Sequence, residues 1–371
     1  MTAPEQGKQV SHGPQGPQEG LSRFKQAALK ALTIECINTI KYDCWIPRKM
    51  QEIKQGAQFI PSFCFFKEKY TPSGEFDKLK ARLTSGGHRQ DRHLYSTSDT
   101  SSPTCDPATV FRLSALAIHE NMTVITADIE AAYLNASIRK TIILKLDPVV
   151  AAVLCKLDPI YLQYINSDQS LFVQLKKALY GCLESARLWY EHLSATLLSI
   201  PNIKQSKLDP CLFYLQEGTA KIYIAIYVDD IKIVSSSTHL TNMVKNKLKS
   251  IYTVKFQEGT THEYLGMKFQ YQSDKVLITS PNYISNLLTD YAATNSFGHA
   301  LTPAADDLFH IDETSPLLSN INKETFHSFV ARILYLSKRN RPDLLCAVSF
   351  ITTRVQNPTV QDEQKLHRVM N

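Results

Sequence analysis

The 371 residues contain no apolar stretch long enough to cross a membrane. The longest run, at residues 222–228, falls far short of the roughly 20 residues a spanning helix needs, so no membrane helix is expected. The opening MTAPEQGKQVSHGPQGPQEG lacks the apolar core of a secretory signal. Its Gln, Gly and Pro content reads as a disordered tail over residues 1–22. The 8 cysteines, at 36, 44, 64, 105, 155, 182, 211 and 346, include no C-x-x-C pair and no neighbouring histidine cluster. Structural zinc is therefore not expected, and reduced thiols in a cytoplasmic or nuclear setting are. No internal repeat is visible.

What is present is an ordinary globular composition, 43% hydrophobic and 20% charged, on a chain long enough for two or three domains. The net charge of +6 is unevenly placed. The first hundred residues hold 15 Lys or Arg against 10 Asp or Glu, a surplus of +5, and the rest contributes +1. A basic N-terminal third suits phosphate contacts, although a solvated surface would look the same.

Periodicity predicts an amphipathic helix over residues 21–40, a strand in IPSFCFFKEKY, a turn at residues 71–74 and a second strand in KLKARLTSGGHRQD. A polar linker at residues 96–107 precedes a helix over residues 108–120. MTVITADIEAAYL reads as a strand with Asp128 near its end, and residues 142–174 are mixed. KKALYGCLESARLWYEHLSATLLSI begins as a turn and continues as a helix. IYIAIYVDDIKIVSS reads as a hairpin with Asp229 and Asp230 at its tip. A helix over residues 239–251, a strand pair around YLGMKFQY and KVLITS, and a helical last seventy residues complete the pattern.

Two adjacent carboxylates at the tip of an apolar hairpin repel each other, and desolvation adds to the cost, unless a cation neutralises them. An exposed Asp-Asp turn, where Asp favours chain reversal, is the plain alternative. The second segment, DIEAAYLN, weighs against it, because Asp128 also follows an apolar strand. If these strands lie side by side, three hard oxygen donors converge, as Mg²⁺ prefers. Two such ions about 3.5–4 Å apart activate a hydroxyl and stabilise a leaving pyrophosphate.

Five segments, KARLTSGGHRQ, DIEAAYLNASI, KKALYGCLESARLWYEHL, IYVDDIKIV and YLGMKF, resemble in order those of copia-type retrotransposon reverse transcriptases. CWIPRKM upstream, with RILYLSKRNRPDLLCAVSF and NPTVQDEQKLHRVM downstream, extends the likeness over most of the chain. The resemblance implies an α+β right-hand polymerase fold. Its parts would be an N-terminal helix and fingers at 23–115, a palm at 116–260 with inserted fingers at about 140–190, a primer-grip and thumb-like region at 261–300, and a helical connection at 301–371. It implies addition of deoxynucleoside monophosphates to a primer 3′ end on an RNA or DNA template, with two Mg²⁺ ions, or Mn²⁺, on Asp128, Asp229 and Asp230.

By the same likeness the Ile129 carbonyl completes a metal shell, Lys80 and Arg82 grip the incoming triphosphate, and Tyr133 blocks a ribose 2′ hydroxyl. Lys255 protonates pyrophosphate, and Tyr227, Tyr264, Leu265 and Gly266 meet the primer. Some of these have a plainer reading: a solvated strand face for Lys80 and Arg82, core packing for Tyr133, a simple β-turn for residues 264–266. Glu184, Ser185 and Ala186 depart from the family's Gln-Ala-Pro or Gln-Ser-Pro. Glu184 then weakens nucleotide binding if ionised, and the penalty largely vanishes if it is protonated or pairs with Arg187 three residues on.

Expected partners are template and primer nucleic acid, deoxynucleoside triphosphates and other parts of the retrotransposon polyprotein, in a cytoplasmic virus-like particle or the nucleus. The chain stops where the family continues into ribonuclease H, which reads as a fragment or a truncated element. A relic that binds nucleic acid without polymerising, and a particle assembly protein, are the other readings.

Overall fold

The computed structural model describes residues 17–70, 76–293, 295–296 and 298–371. Helix α1 (Pro17–Lys41) buries Ala28, Ala31, Leu32 and Cys36, the three-to-four spacing of an amphipathic helix. It begins before residue 21, so the end of the expected tail, residues 17–22, is helical; it is interrupted at Lys25, whose φ is 46°. Strands β1 (Trp45–Arg48), β2 (Gln58–Tyr70) and β3 (Phe76–Ser85) follow. Along β3, Leu79, Ala81 and Leu83 point inward while Lys78, Lys80 and Arg82 are exposed, the two-residue period of a half-buried strand. The turn expected at residues 71–74 lies outside the described residues.

The segment 96–107 is not all linker. It holds a single helical turn, α2 (Thr97–Thr100), which Ser96 and Asp99 close with a capping box. Helix α3 (Pro107–His119) starts where the side chain of Asp106 accepts the Ala108 N–H at 2.8 Å and proline takes the first position. Strands β4 (Thr123–Ile129) and β5 (Ile142–Leu146) precede α4 (Pro148–Leu157), β6 (Leu171–Leu175) and α5 (Ser185–Leu198). Then come β7 (Lys204–Gln205), β8 (Leu212–Glu217), β9 (Ala220–Tyr227), β10 (Asp230–Ser235) and α6 (Thr238–Ile251). Four strands, β11 (Val254–Gln257), β12 (Thr261–Tyr264), β13 (Met267–Tyr271) and β14 (Val276–Thr279), lead to α7 (Pro281–Ala292). Helices α8 (Asn320–Ser337), α9 (Leu345–Thr352) and α10 (Val360–Met370) end the chain. The helical C-terminus thus starts at Asn320, because residues 301–319 run without a helix.

The chain divides into two compact units. The first takes the described residues of Met1–Thr104, Asp128–Leu215 and Asn242–Lys255. Its five-stranded sheet has the order β1-β6-β5-β2-β3, with β2 and β5 parallel and the other pairings antiparallel. Leu32, Cys36, Ile60, Cys64, Leu83, Ile142, Leu144, Val150, Leu154 and Val173 share one core. Burying each of the large aliphatic residues contributes about 1.5–3 kcal/mol.

The second unit takes Cys105–Ala127, Gln216–Thr241 and Phe256–Asn371. In it the strand order runs β4-β10-β9, and β12-β13-β14 form a separate antiparallel sheet. Tyr291, Phe326, Phe329, Ile333, Val348, Ile351 and Leu366 build a helical core. Both units mix helices with mainly antiparallel sheet, the α+β class expected. Among the described residues no helix is long and apolar enough to cross a membrane.

Candidate functional site

Strands β9 and β10 pair with Tyr227 facing Asp230, so Val228 and Asp229 alone make the turn. A two-residue hairpin needs positive φ at its first turn residue, a place that Gly or Asn usually fills. Here Val228 takes it, at φ 55°. A β-branched residue in that region is strained, at a cost on the order of 1–3 kcal/mol. The strands that force it are deeply seated, with Ile224, Ile226, Ile231 and Ile233 between 0% and 2% exposed. Asp229 and Asp230 are half-buried at the tip, and Tyr227 beside them is half-buried too. Asp128 is the exposed next-to-last residue of β4, the strand beside β10.

Among the described residues no three His, Cys, Asp or Glu side chains gather closely enough to hold a metal ion by themselves. The donor chemistry still fits Mg²⁺, which takes one or two carboxylates and completes its shell with water and substrate phosphate rather than with an all-protein cage. Ile129, the last residue of β4, is 1% exposed, and the next N–H, of Glu130, bonds to the Thr253 carbonyl at 3.0 Å.

A second cluster lies within the first unit. Glu35, Lys80, Arg82, Glu130, Leu134 and Tyr180 line one cleft there. The Arg82 guanidinium lies 4.1 Å from the centre of the Tyr180 ring, and that ring sits 4.6 Å from the ring of Tyr133. Tyr133 is also packed against Ala136, Ala178 and Leu188, so its core role is real. The structure thus joins Arg82 and Tyr133 through Tyr180, which lines the same cleft as Lys80 and is a residue that the sequence motifs include without assigning it a role.

Two glycines make that meeting possible. A Cβ on Gly181 would come 2.2 Å from the Ser85 carbonyl, and one on Gly87 would come 1.8 Å from that of Gly181. With backbone packed this closely, the Ser85 N–H reaches the Tyr180 carbonyl at 2.7 Å, and the Leu183 N–H reaches the Gln90 side chain at 2.8 Å. Segments about a hundred positions apart are stitched into one floor.

Glu35 was missed from sequence. Its carboxylate accepts the Leu83 N–H at 3.0 Å, across the free edge of β3. Burial pushes its pKa above the ordinary carboxylate range, while that hydrogen bond, Lys80 and Arg82 pull the other way. The available signal was that Glu35 is the lone acid between residues 21 and 40.

Several expectations change. Glu184 is 2% exposed and accepts the Lys140 N–H at 3.2 Å. It does not pair with Arg187, which bonds Glu191 one turn on at 2.6 Å. At the first position before α5, Glu184 is turned inward without capping the helix, whereas Arg187 lies along the helix with Glu191. Tyr264 is also 2% exposed, with its hydroxyl donating to the Ala225 carbonyl at 3.3 Å, so its ring is taken up by the core. Leu265 and Gly266 form the β12–β13 turn at φ 53° and 74°. Lys255 is exposed on β11 and does not line the cleft of Lys80 and Arg82.

Sequence reasoning also passed over Lys232, the charge inside the apolar run IKIV. It is 1% exposed, and burial pushes its ammonium down to about 7.

The profile of the family described as reverse transcriptase (RNA-dependent DNA polymerase) matches residues 49–305, more than half of the chain. The chain belongs to that family, in its copia-type branch. It is 27% identical over 314 residues to the retrovirus-related Pol polyprotein from transposon RE1 of Arabidopsis thaliana, covering 82% of this chain and 19% of that protein. It is 24% identical to the Pol polyprotein from transposon TNT 1-94 of Nicotiana tabacum, over 84% of this chain and 23% of that one. A putative transposon Ty5-1 protein of Saccharomyces cerevisiae is 24% identical over 66% of this chain and 73% of its own length. The chain thus spans about a fifth of the Arabidopsis relatives it matches. A foamy viral protease-reverse transcriptase, solved with double-stranded DNA, aligns over 93% of this chain and 57% of its own, at 12% identity and a TM-score of 0.42.

Proposed function

We propose that this chain is a template-directed DNA polymerase whose centre is the β9–β10 tip. Asp229 and Asp230 hold divalent ions there, with Asp128 as the third carboxylate. The observation that carries this reading is the strained turn at Val228, which places two carboxylates at the tip of an otherwise apolar hairpin. Bound Mg²⁺ or Mn²⁺ supplies Lewis-acid stabilisation of the attacking and leaving oxygens. The primer 3′ hydroxyl gives its proton to solvent, its oxygen bonds the α-phosphorus, and the bond to pyrophosphate breaks, the electron pair leaving with pyrophosphate.

Lys80 and Arg82 hold the triphosphate, and Arg82 is steadied for this by the face of Tyr180. Tyr133, set against Tyr180, crowds a ribose 2′ hydroxyl. Leu265 and Gly266 support the primer end, and Lys255 passes a proton to the pyrophosphate. Residues 23–115 and about 140–190 act as fingers and 116–260 as palm, followed by a thumb-like region and a connection. Template RNA, primer DNA and the remainder of a Pol polyprotein are its partners. The family match over residues 49–305 supports a reverse-transcriptase origin for this fold, and the three acids kept in the two strand segments favour polymerase activity over inert binding.

The test is primer extension by the purified chain on poly(rA)/oligo(dT) with deoxythymidine triphosphate. Extension that depends on Mg²⁺ or Mn²⁺ and stops with a chelator is expected. Binding of the duplex with no extension under either metal would favour the inert relic.

A further inference from the structure

Two residues along β10 from Asp230 lies a buried lysine for which the proposed chemistry has no use. Lys232 is the third residue of β10, on the same side of the strand as Asp230. Its ammonium donates to the Ser114 hydroxyl of α3 at 2.6 Å. It also lies 4.1 Å from the centre of the Phe269 ring, 5.7 Å from that of Tyr271 and 5.8 Å from that of Tyr264. Among the described residues its amine thus meets a hydroxyl and three aromatic faces, with the Cys105 thiol near enough to act on it electrostatically.

The Ser114 hydroxyl is used to capacity. It donates to the Val110 carbonyl at 2.8 Å and accepts from both Lys232 and the Tyr271 hydroxyl, the latter at 3.1 Å. One helix, one strand of the carboxylate hairpin and one strand of the β12–β13 hairpin meet at a single oxygen. Two further bonds run the same way, from the Tyr264 hydroxyl to the Ala225 carbonyl at 3.3 Å and between Thr126 Oγ1 and His262 Nδ1 at 3.2 Å. His262, Tyr264, Met267 and Phe269 share one face of β12–β13, as the register of that pair requires, and each is 2% exposed or less.

Taken as fold alone, this is a poor choice of residue. Burying an amine, charged or neutral, is expensive, and apolar replacements of similar volume are often neutral or stabilising. What Lys232 adds is direction: a hydrogen bond and ring contacts that fix the β12–β13 hairpin in register on the strand that carries Asp230. We propose that Lys232 is a positioning residue, which sets the Leu265–Gly266 turn, and through it the primer 3′ end, against the Asp229–Asp230 tip. This rests on the polymerase reading above. The reacting oxygen must sit within a fraction of an ångström of its target, and a displacement of about 1 Å costs on the order of a hundredfold in rate.

The experiment compares the parent chain with Lys232→Met and Tyr271→Phe. Each is followed by thermal melting and by kcat and KM for deoxythymidine triphosphate on poly(rA)/oligo(dT). Lys232→Met is expected to melt at the parent's temperature or above it, while kcat falls ten- to a hundredfold and KM stays within about twofold. Tyr271→Phe, which removes one donor and keeps the ring, should fold if the other does not and should lower kcat a few-fold in the same pattern. Unchanged kcat in both variants overturns the proposal. So does a drop in kcat that tracks a drop in melting temperature, since that is plain structural damage. A parent that extends no primer refutes the polymerase reading itself, and this proposal with it; extension by the parent separates the two failures.

Discussion

Two hairpin turns of the second unit have the same length and put a bulky apolar residue in the left-handed region, yet their surroundings differ. At the β12–β13 turn Leu265 has φ 53°, and the next residue is Gly266 at φ 74°, where glycine meets no steric penalty. Both turn carbonyls are met there: Tyr335 donates to that of Leu265 at 3.3 Å, and Ser280 to that of Gly266 at 3.3 Å. At the β9–β10 turn the same demand falls on Val228, followed by Asp229 and Asp230 rather than by glycine. Both turns carry a strained residue, but one is tied down by hydrogen bonds to its carbonyls and the other presents carboxylates.

The comparison breaks first at the acids. Asp230→Ala and Asp128→Ala should each lower primer extension on the order of a thousandfold or more, about 4 kcal/mol of transition-state stabilisation. Losses under tenfold in single-turnover assays would remove them from the metal site. Next comes Gly266→Ala, which forces a Cβ to within 3.0 Å of the Tyr335 hydroxyl at a positive φ. A destabilisation of about 1–2 kcal/mol is expected in urea unfolding, and an unchanged midpoint would mean that the turn relaxes freely.

Val228→Gly runs the opposite way. Relief of strain exceeds the entropic cost of glycine by about 1 kcal/mol, so the melting temperature should rise by a few degrees while extension slows. A fall in melting temperature would show that Val228 contributes more by packing than it costs by conformation. Smallest is Tyr335→Phe, which removes one hydrogen bond worth about 0.5–1.5 kcal/mol. A larger effect on unfolding would point to a role beyond Leu265.

Much of this was legible in the chain. The two-residue period of KLKARLTS placed Lys80 and Arg82 on an exposed face, and the apolar arms around Asp229-Asp230 marked the hairpin. Local pattern could not reveal the crossing of Gly87 over Gly181, since that contact depends on tertiary approach and both glycines read equally well as loop residues. For the same reason it did not find Glu35 at the edge of β3, or Lys232 under three rings. Glu184 misled because three-residue spacing on a helix favours a pair with Arg187, and the partner one turn on, Glu191, competes for the same guanidinium. With its carboxylate enclosed, Glu184→Gln should leave nucleotide KM within about twofold.

The most direct measurement is primer extension by Asp229→Asn beside the parent, with melting curves of both. This substitution keeps the size of the side chain and suits a tight turn, and it removes one negative charge from the tip. The account predicts a loss on the order of a thousandfold in extension with a melting temperature within a few degrees of the parent's. Extension within tenfold of the parent, in a variant that melts normally, would contradict it.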